Sequence, residues 1–463
     1  MLEIKNLSLD YENISLLKNI NLTINSGEIT VITGKSGSGK SSLLKVLNGI
    51  IPEVLQAKLA GEIIYNEKNI FEDDISKRAK YISTVFQNPK TQFYCINTTD
   101  ELAFALENRN IPKDEILKTI DEYTKLLNTG KFLERDIFTL SGGEKQLVAI
   151  TSVACMNNEI YIFDEPSASL DRESVRWLRD TLVKLKNMGK IVIVAEHRLY
   201  YLKDIFDKLC VIENGEMFNY DKKDFECNLE DIRKKHELRA FDEIKKEDFA
   251  KENFYQIDIL NNKNNAKAST ILSCLDYKVS YENELIIDFS PDFDKGIYFI
   301  IGKNGVGKST FVKKLCNLIK GKGKSFYEKT KMSKSYDYIS LVMQDVNYQL
   351  FTESVWQEIS ITSDDTDLKE TVLQELGLLD KKEFHPQILS GGEKQRLLIA
   401  MAKVSKKPIV IFDEPTSGLD SLQMKRIAKY IQDMKNEGKL VIVITHDYEL
   451  IKECGGNVFE FYK

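Results

Sequence analysis

Lys40 and Ser41 close the stretch GKSGSGKSS, which begins at Gly34, and Lys308 and Ser309 hold the same places in GKNGVGKST, which begins at Gly302. In this G-x-x-x-x-G-K-S pattern, Gly34, Gly37 and Gly39, and likewise Gly302, Gly305 and Gly307, let the backbone curl. Its N–H groups then point inward at phosphate oxygens. A helix beginning just after each loop adds its dipole. The lysine ammonium neutralises β- and γ-phosphate charge, and the Ser41 or Ser309 hydroxyl can ligate Mg²⁺. Ser42 and Thr310 belong with the same nucleotide-binding set. Asp164 and Asp413 each end an apolar run and precede a glutamate and a proline. An aspartate there faces the phosphate loop and can hold Mg²⁺. Glu165 and Glu414 are placed to orient or deprotonate a water, a role worth ~10²–10⁴ in rate.

Other residues fall around this centre. Gln87 and Gln344 follow YISTVF and YISLVM, and in this company each can sense Mg²⁺ and the attacking water. The chain has 4 histidines, and two of them, His197 and His446, occupy equivalent ends of an apolar run. Neutral imidazoles there can contact a γ-phosphate. His236 and His385 have no matching surroundings and read as surface residues. Ser141 with Glu144, and Ser390 with Glu393, fit the S-x-x-E box that starts a helix. Gly142 and Gly143, with Gly391 and Gly392, make that helix start bare enough for phosphate to approach.

The elements that must carry these residues occur twice. LSGGEKQ begins at Leu140 and at Leu389, IYIFDEPSASLD is echoed by IVIFDEPTSGLD, and VIVAEHR by VIVITHD. Ser141 to Asp164 and Ser390 to Asp413 both span 23 positions, and Asp164 to His197 and Asp413 to His446 both span 33. Short Val/Ile-rich runs, alternating with helix-like stretches, suit parallel strands covered on both faces. Residues 88–140 and 345–389 read as mostly helical insertions. The expected division is a first domain over 1–228, a charged helical connector over 229–268 and a second domain over 269–463. Glu230 with Lys234 and Asp231 with Lys235 support the connector helix as i,i+4 pairs.

Composition narrows the class. The chain has 463 residues, 65 basic against 71 acidic, a formal net of −6. That balance supplies no basic field for nucleic acid, and no nucleic-acid partner is expected. No apolar run reaches the roughly 18–20 residues of a membrane-spanning helix, and the N-terminal segment does not read as a signal peptide. The 7 cysteines form no CxxC and read as reduced cytosolic thiols.

Together these motifs resemble the ATP-binding cassette family, whose Walker A, Q-loop, signature, Walker B, D-loop and H-loop appear here in order, twice. The resemblance implies an α/β fold of tandem P-loop NTPase (ABC-type) domains. Each would have a parallel-sheet RecA-like core, an antiparallel β subdomain and a helical subdomain. It implies ATP and Mg²⁺, adenine stacking by Tyr11 and Tyr281, and D-loops at Ser169–Asp171 and Ser417–Asp420. It also implies head-to-tail pairing of the two halves. Lys40, Asp164 and Glu165 would then work with Ser390, Gly391 and Gly392, while Lys308, Asp413 and Glu414 would work with Ser141, Gly142 and Gly143.

Within the family, the segment after Gln87 and the stretch AEHRLYYL resemble the ATPase of energy-coupling factor importers. That resemblance implies a peripheral protein on the cytoplasmic face of the membrane. Its partners would be a membrane coupling (T) component and a substrate-binding (S) component. Asp100, Glu101 and Glu358 are the docking acids it points to, and a vitamin, metal ion or other small solute is the implied cargo. A soluble tandem cassette protein acting on ribosomes is the alternative, although Ala-Ser-Leu-Asp and Ser-Gly-Leu-Asp stand here where Asn-His-Leu-Asp is usual. A sugar-importer ATPase is less favoured because both sites keep their full set. The heptads of a chromosome-maintenance ATPase are missing. Arg396 in the second signature stands where the first has Leu147, which marks the two sites as unequal.

Overall fold

The computed structural model describes residues 1–11, 14–261, 270–281 and 284–463. They form two compact units, one from Met1 to Glu243 with Asp420 to Leu422 and one from Ile244 to Leu419 with Gln423 to Lys463.

In the first unit a six-stranded sheet runs in the order Glu216–Asp221, Lys208–Glu213, Ile29–Gly34, Ile191–Ala195, Ile160–Asp164, Ile82–Val85. All neighbours are parallel except the hairpin at the Glu216 edge. Every side chain of Ile160–Asp164 and Ile191–Ala195 is buried, as expected for parallel strands with both faces covered. The period of two shows in the packing. Val192 and Val194 join Leu178 and Leu182 of the Arg172–Asn187 helix on one face. Ile191 and Ile193 join Leu43, Leu44 and Leu47 of the Lys40–Leu47 helix on the other. A separate antiparallel sheet pairs Leu2–Tyr11 with Ile14–Ile24 and Lys58–Tyr65. The insertion after Gln87 forms the helices Thr98–Glu107 and Lys113–Leu127, which bury Leu102, Leu106, Ile116 and Ile120 against Leu147 of the Gly142–Cys155 helix.

The second unit repeats this plan. Its sheet runs Phe254–Asp258, Asn457–Tyr462, Ile297–Ile301, Leu440–Ile444, Ile409–Asp413, Ile339–Val342, all parallel. Its antiparallel sheet is built on Leu272–Tyr281. The helical insertion is shorter, with Val355–Ser360 and Thr366–Glu375 packed beside Gly391–Val404.

The stretch 229–268 differs from the charged helix read from its sequence. The helix Lys222–Lys235 ends at His236, two short 3₁₀ turns follow, and Phe254–Asp258 is an edge strand of the second sheet. A sheet edge with unpaired backbone groups recruits a strand wherever one is tethered nearby, which outweighs the weak helical signal of mixed charge. The Glu230 carboxylate pairs with Arg233, one turn on, at 2.6 Å. Residues 262–268 of the stretch lie outside the described residues. His236 corrects the surface reading given above. It is 2% exposed, with Nε2 2.8 Å from the Tyr220 hydroxyl and Nδ1 2.9 Å from Glu213, so two polar partners make its burial tolerable. His385 is exposed.

Ile257, buried on the Phe254–Asp258 strand, tests the importance of this edge. Ile257→Ala is expected to lower stability in denaturant unfolding by about 2–3 kcal/mol. Exposed Gln256→Ala on the same strand should change it by no more than about 0.5 kcal/mol.

Candidate functional site

Each phosphate loop is locked in place by contacts that forbid a side chain. A Cβ on Gly34 would lie 2.2 Å from the Ile212 carbonyl oxygen, and one on Gly302 would lie 2.4 Å from that of Phe461. Both residues also have φ near +140°, so only glycine fits. The tip glycines Gly37 and Gly305 face open space on the side where a Cβ would stand, leaving the cradle clear for a phosphate. Lys40 is buried and donates to the Gly34 and Lys35 carbonyls at 3.1 and 3.0 Å. Lys308 does the same to Gly302 and Lys303 at 2.8 and 3.0 Å. The ammonium thus brackets the loop from within, and burial pulls the Lys40 pKa below its ordinary value.

At the strand end beside the loop, Ser41 donates to Asp164 Oδ1 at 2.9 Å. The hydroxyl and carboxylate are the oxygen donors a hard cation needs, so the residues present fit Mg²⁺. Asp413 is likewise hydrogen-bonded to Ser309. Burial raises the carboxyl pKa of both aspartates. When bound, Mg²⁺ would supply charge neutralisation at the phosphates. Ser42 and Thr310 lie half-buried in the first turn of their helices.

Glu165 and Glu414 both sit at positive φ, 45° and 50°. That is an uncommon conformation for glutamate, held here by backbone bonds from Glu165 N to Ala195 O and from Glu414 N to Ile444 O. Gln87 Nε2 donates to Glu165 Oε2 at 2.6 Å, and His197 Nε2 lies 3.5 Å from Oε1. The first site therefore gathers glutamate, glutamine and histidine around one point. Burial holds the His197 imidazole well below its ordinary pKa and so neutral. Burial first, then the neighbouring Glu196, pushes the Glu165 carboxyl up to about 8. In the second site His446 Nε2 is 3.6 Å from Glu414 Oε1 and 3.2 Å from Asn304 Oδ1. Gln344 is exposed beyond the Ile339–Val342 strand.

The signature serines do start helices. Ser141 accepts from Glu144 N at 3.3 Å while Glu144 receives Ser141 N at 2.8 Å, and Ser390 with Glu393 repeats this at 3.4 and 2.8 Å. Gly142, Gly391 and half-buried Gly392 lie at these helix starts, and Gly143 is buried. Arg396 donates to the Leu376 carbonyl at 3.0 Å, a contact the Leu147 position cannot make. Asp171 caps the Arg172–Asn187 helix by accepting from Ser174 N at 2.8 Å. Tyr11 ends its strand half-buried; the side chain of Tyr281 lies outside the described residues.

Two of the three docking acids are corrected. Glu101 is 4% exposed and Glu358 0%. Glu101 accepts from Tyr94 N and Cys95 N at 2.9 Å each, and Glu358 from Phe351 N and Thr352 N at 3.0 and 2.8 Å. In each case both backbone N–H groups converge on one carboxylate oxygen, Oε2, and each glutamate fixes the loop ahead of its helix. Asp100 is exposed. The sequence reading passed over Glu196, the carboxylate preceding His197; its signal was that only one copy carries it, since Thr445 stands in the other.

The raised Glu165 pKa has a thermodynamic consequence. The folded, nucleotide-free protein binds this proton more tightly than the unfolded chain, where glutamate titrates near 4.3. The stability tied to the proton is therefore full below about pH 4.3 and lost as pH rises through about 8. Glu165→Gln, a permanent mimic of the protonated form, is expected to match the native unfolding midpoint near pH 4, exceed it increasingly up to about pH 8 and keep a constant lead above that. A constant difference between about pH 4 and about pH 8 would refute the assignment.

The family model described as "ABC transporter" matches residues 17–168 and 290–417. A putative ABC transporter ATP-binding protein of Treponema denticola is 37% identical over 98% of this chain and 93% of its own length. Another, from Clostridium perfringens, is 29% identical over 94% of this chain and 84% of its own. Among solved structures, a model of ribosome-bound archaeal Pelota and ABCE1 aligns with TM-score 0.64 and 22% identity, over 96% of this chain and 74% of that one. This last likeness is one of fold. With the duplicated loop, strand-end acids and signature turns on two α/β units, the chain belongs to the ABC transporter family and carries two of its ATP-hydrolysing domains in one polypeptide.

Proposed function

We propose that this chain is the energy-coupling subunit of an importer of the energy-coupling factor type. Its ATP hydrolysis would drive uptake of a vitamin, metal ion or other small solute through separate T and S membrane subunits. At each site the chain's own groups divide the work. The lysine and loop N–H groups hold the triphosphate, the strand-end aspartate and serine hold Mg²⁺, and the glutamate takes a proton from the attacking water. The histidine orients the reacting groups. Each signature turn, in this reading, completes the site of the opposite half, so that ATP joins the halves and hydrolysis releases them.

The observation that carries the importer reading is a duplicated surface. Seven positions after each Q-loop glutamine stands an exposed aromatic residue, Tyr94 and Phe351, each 79% exposed. The loop bearing it is pinned by buried Glu101 or Glu358. Large rings held out at matching points of both copies are costly unless a partner covers them. Ile96 beside Tyr94 is 65% exposed, and Asp100 adds a carboxylate for a cationic helix. Among the described residues no helix is long and apolar enough to cross a membrane, and the relatives are named for ABC transport. We therefore assign the membrane crossing to partner chains bound at the cytoplasmic face.

Co-expression with candidate polytopic proteins, followed by purification in detergent, tests this reading. Tyr94→Ala combined with Asp100→Lys is expected to reduce copurification of the membrane partner about tenfold or more. Recovery of the native chain on ribosomes, with no membrane protein, would favour the translation alternative. A second assay compares the two sites. Glu165→Gln and Glu414→Gln should each abolish most hydrolysis at its own site and leave unequal rates from the site that remains; equal rates would show the sites to be equivalent.

A further inference from the structure

The two catalytic glutamates are held by different means, and the difference traces to Glu196. Its carboxylate is buried and accepts four hydrogen bonds. Oε1 receives the His197 and Arg198 backbone N–H groups at 2.8 and 3.1 Å. Oε2 receives the Tyr201 hydroxyl at 3.0 Å and Ser167 N at 3.3 Å. This one side chain therefore ties together the histidine segment, the turn that follows the catalytic glutamate, and Tyr201. Glu196, Ser167, His197, Arg198 and Tyr201 are all less than 9% exposed, so these bonds form out of water, where they are strongest.

The second copy is wired otherwise. Thr445 replaces Glu196, and its hydroxyl donates to Glu414 Oε2 at 3.4 Å. The His446 backbone N–H, whose counterpart goes to Glu196 in the first copy, donates to Glu414 Oε2 at 3.3 Å. Asp447 takes over the task of holding the following turn, accepting from the Thr416 hydroxyl at 2.7 Å. The second glutamate is thus gripped by its own histidine segment. In the first copy the N–H that could grip Glu165 is already engaged by Glu196, and the donor at the Glu165 carboxylate is Gln87, at 2.6 Å.

We propose that Glu196 is a positioning residue that makes the first site, in particular, depend on its Q-loop glutamine. By engaging the histidine segment's N–H groups, it hands control of the Glu165 carboxylate to Gln87. Displacement of the Gln87 loop then moves the first base directly. The second base keeps a grip of its own from Thr445 and His446. The first site is in this way the one that responds to whatever moves the Q-loop.

The experiment uses the full-length chain with Glu414→Gln as background, so that ATP turnover reports the first site. Gln87→Ala is expected to lower kcat about tenfold with KM for MgATP nearly unchanged. With Glu196→Thr also present, the freed His197 N–H and the new hydroxyl can hold Glu165 as in the second copy. The Gln87→Ala penalty should then shrink to about threefold or less. Glu196→Gln, whose amide oxygen keeps the His197 and Arg198 bonds, should preserve the native penalty. If Glu196→Thr does not fold, Glu196→Ser runs the same cycle. An equal Gln87→Ala penalty with and without the hydroxyl substitution, or a penalty confined to KM, would overturn the proposal.

Discussion

A buried ammonium facing buried carboxylates at the ends of parallel strands is the constraint on which each half is organised. Lys40, Asp164 and Glu165 are each at most 8% exposed, and isolated charges so placed would cost several kcal/mol apiece. The fold tolerates them because they face one another, because loop carbonyls accept from the lysine, and because the Ser41 hydroxyl donates to Asp164. In the proposed function, a triphosphate with its cation would satisfy the lysine and the aspartate at once. Burial therefore acts as selectivity, since a weakly charged molecule cannot offset the desolvation already incurred.

Duplication leaves the phosphate cradle unchanged and alters its surroundings. Gly34 and Gly302 approach a neighbouring carbonyl almost identically, and both glutamates adopt left-handed backbone. Variation falls one layer out, at Glu196 against Thr445, Arg198 against Asp447 and Leu147 against Arg396. Those positions change which groups hold the strand-end glutamate and the signature helix in each copy.

Much of this was legible in the sequence because the decisive interactions are local. A glycine loop between an apolar run and a helix, a serine three residues before a glutamate, and an aspartate ending a Val/Ile stretch each dictate their own geometry. What escaped depends on neighbours distant along the chain. Glu101 and Glu358 read as exposed acids in a helix's first turn, yet their oxygens serve N–H groups of a loop folded back over them. His236 is buried only because Tyr220 and Glu213 meet it. The strand at Phe254 forms because a sheet edge some 200 residues downstream lies open to it. Glu196 was visible as a letter; its role required the positions of Ser167 and Tyr201.

That strand bears on how freely the two halves can be separated. The second sheet borrows its outermost member from a stretch preceding its own first recognisable motif, so a polypeptide begun at residue 269 would present Asn457–Tyr462 as a bare, β-rich margin open to intermolecular pairing. The second half is therefore not self-sufficient at the border its motifs imply. Any split into independently made chains has to fall upstream of Phe254 for that margin to stay sealed.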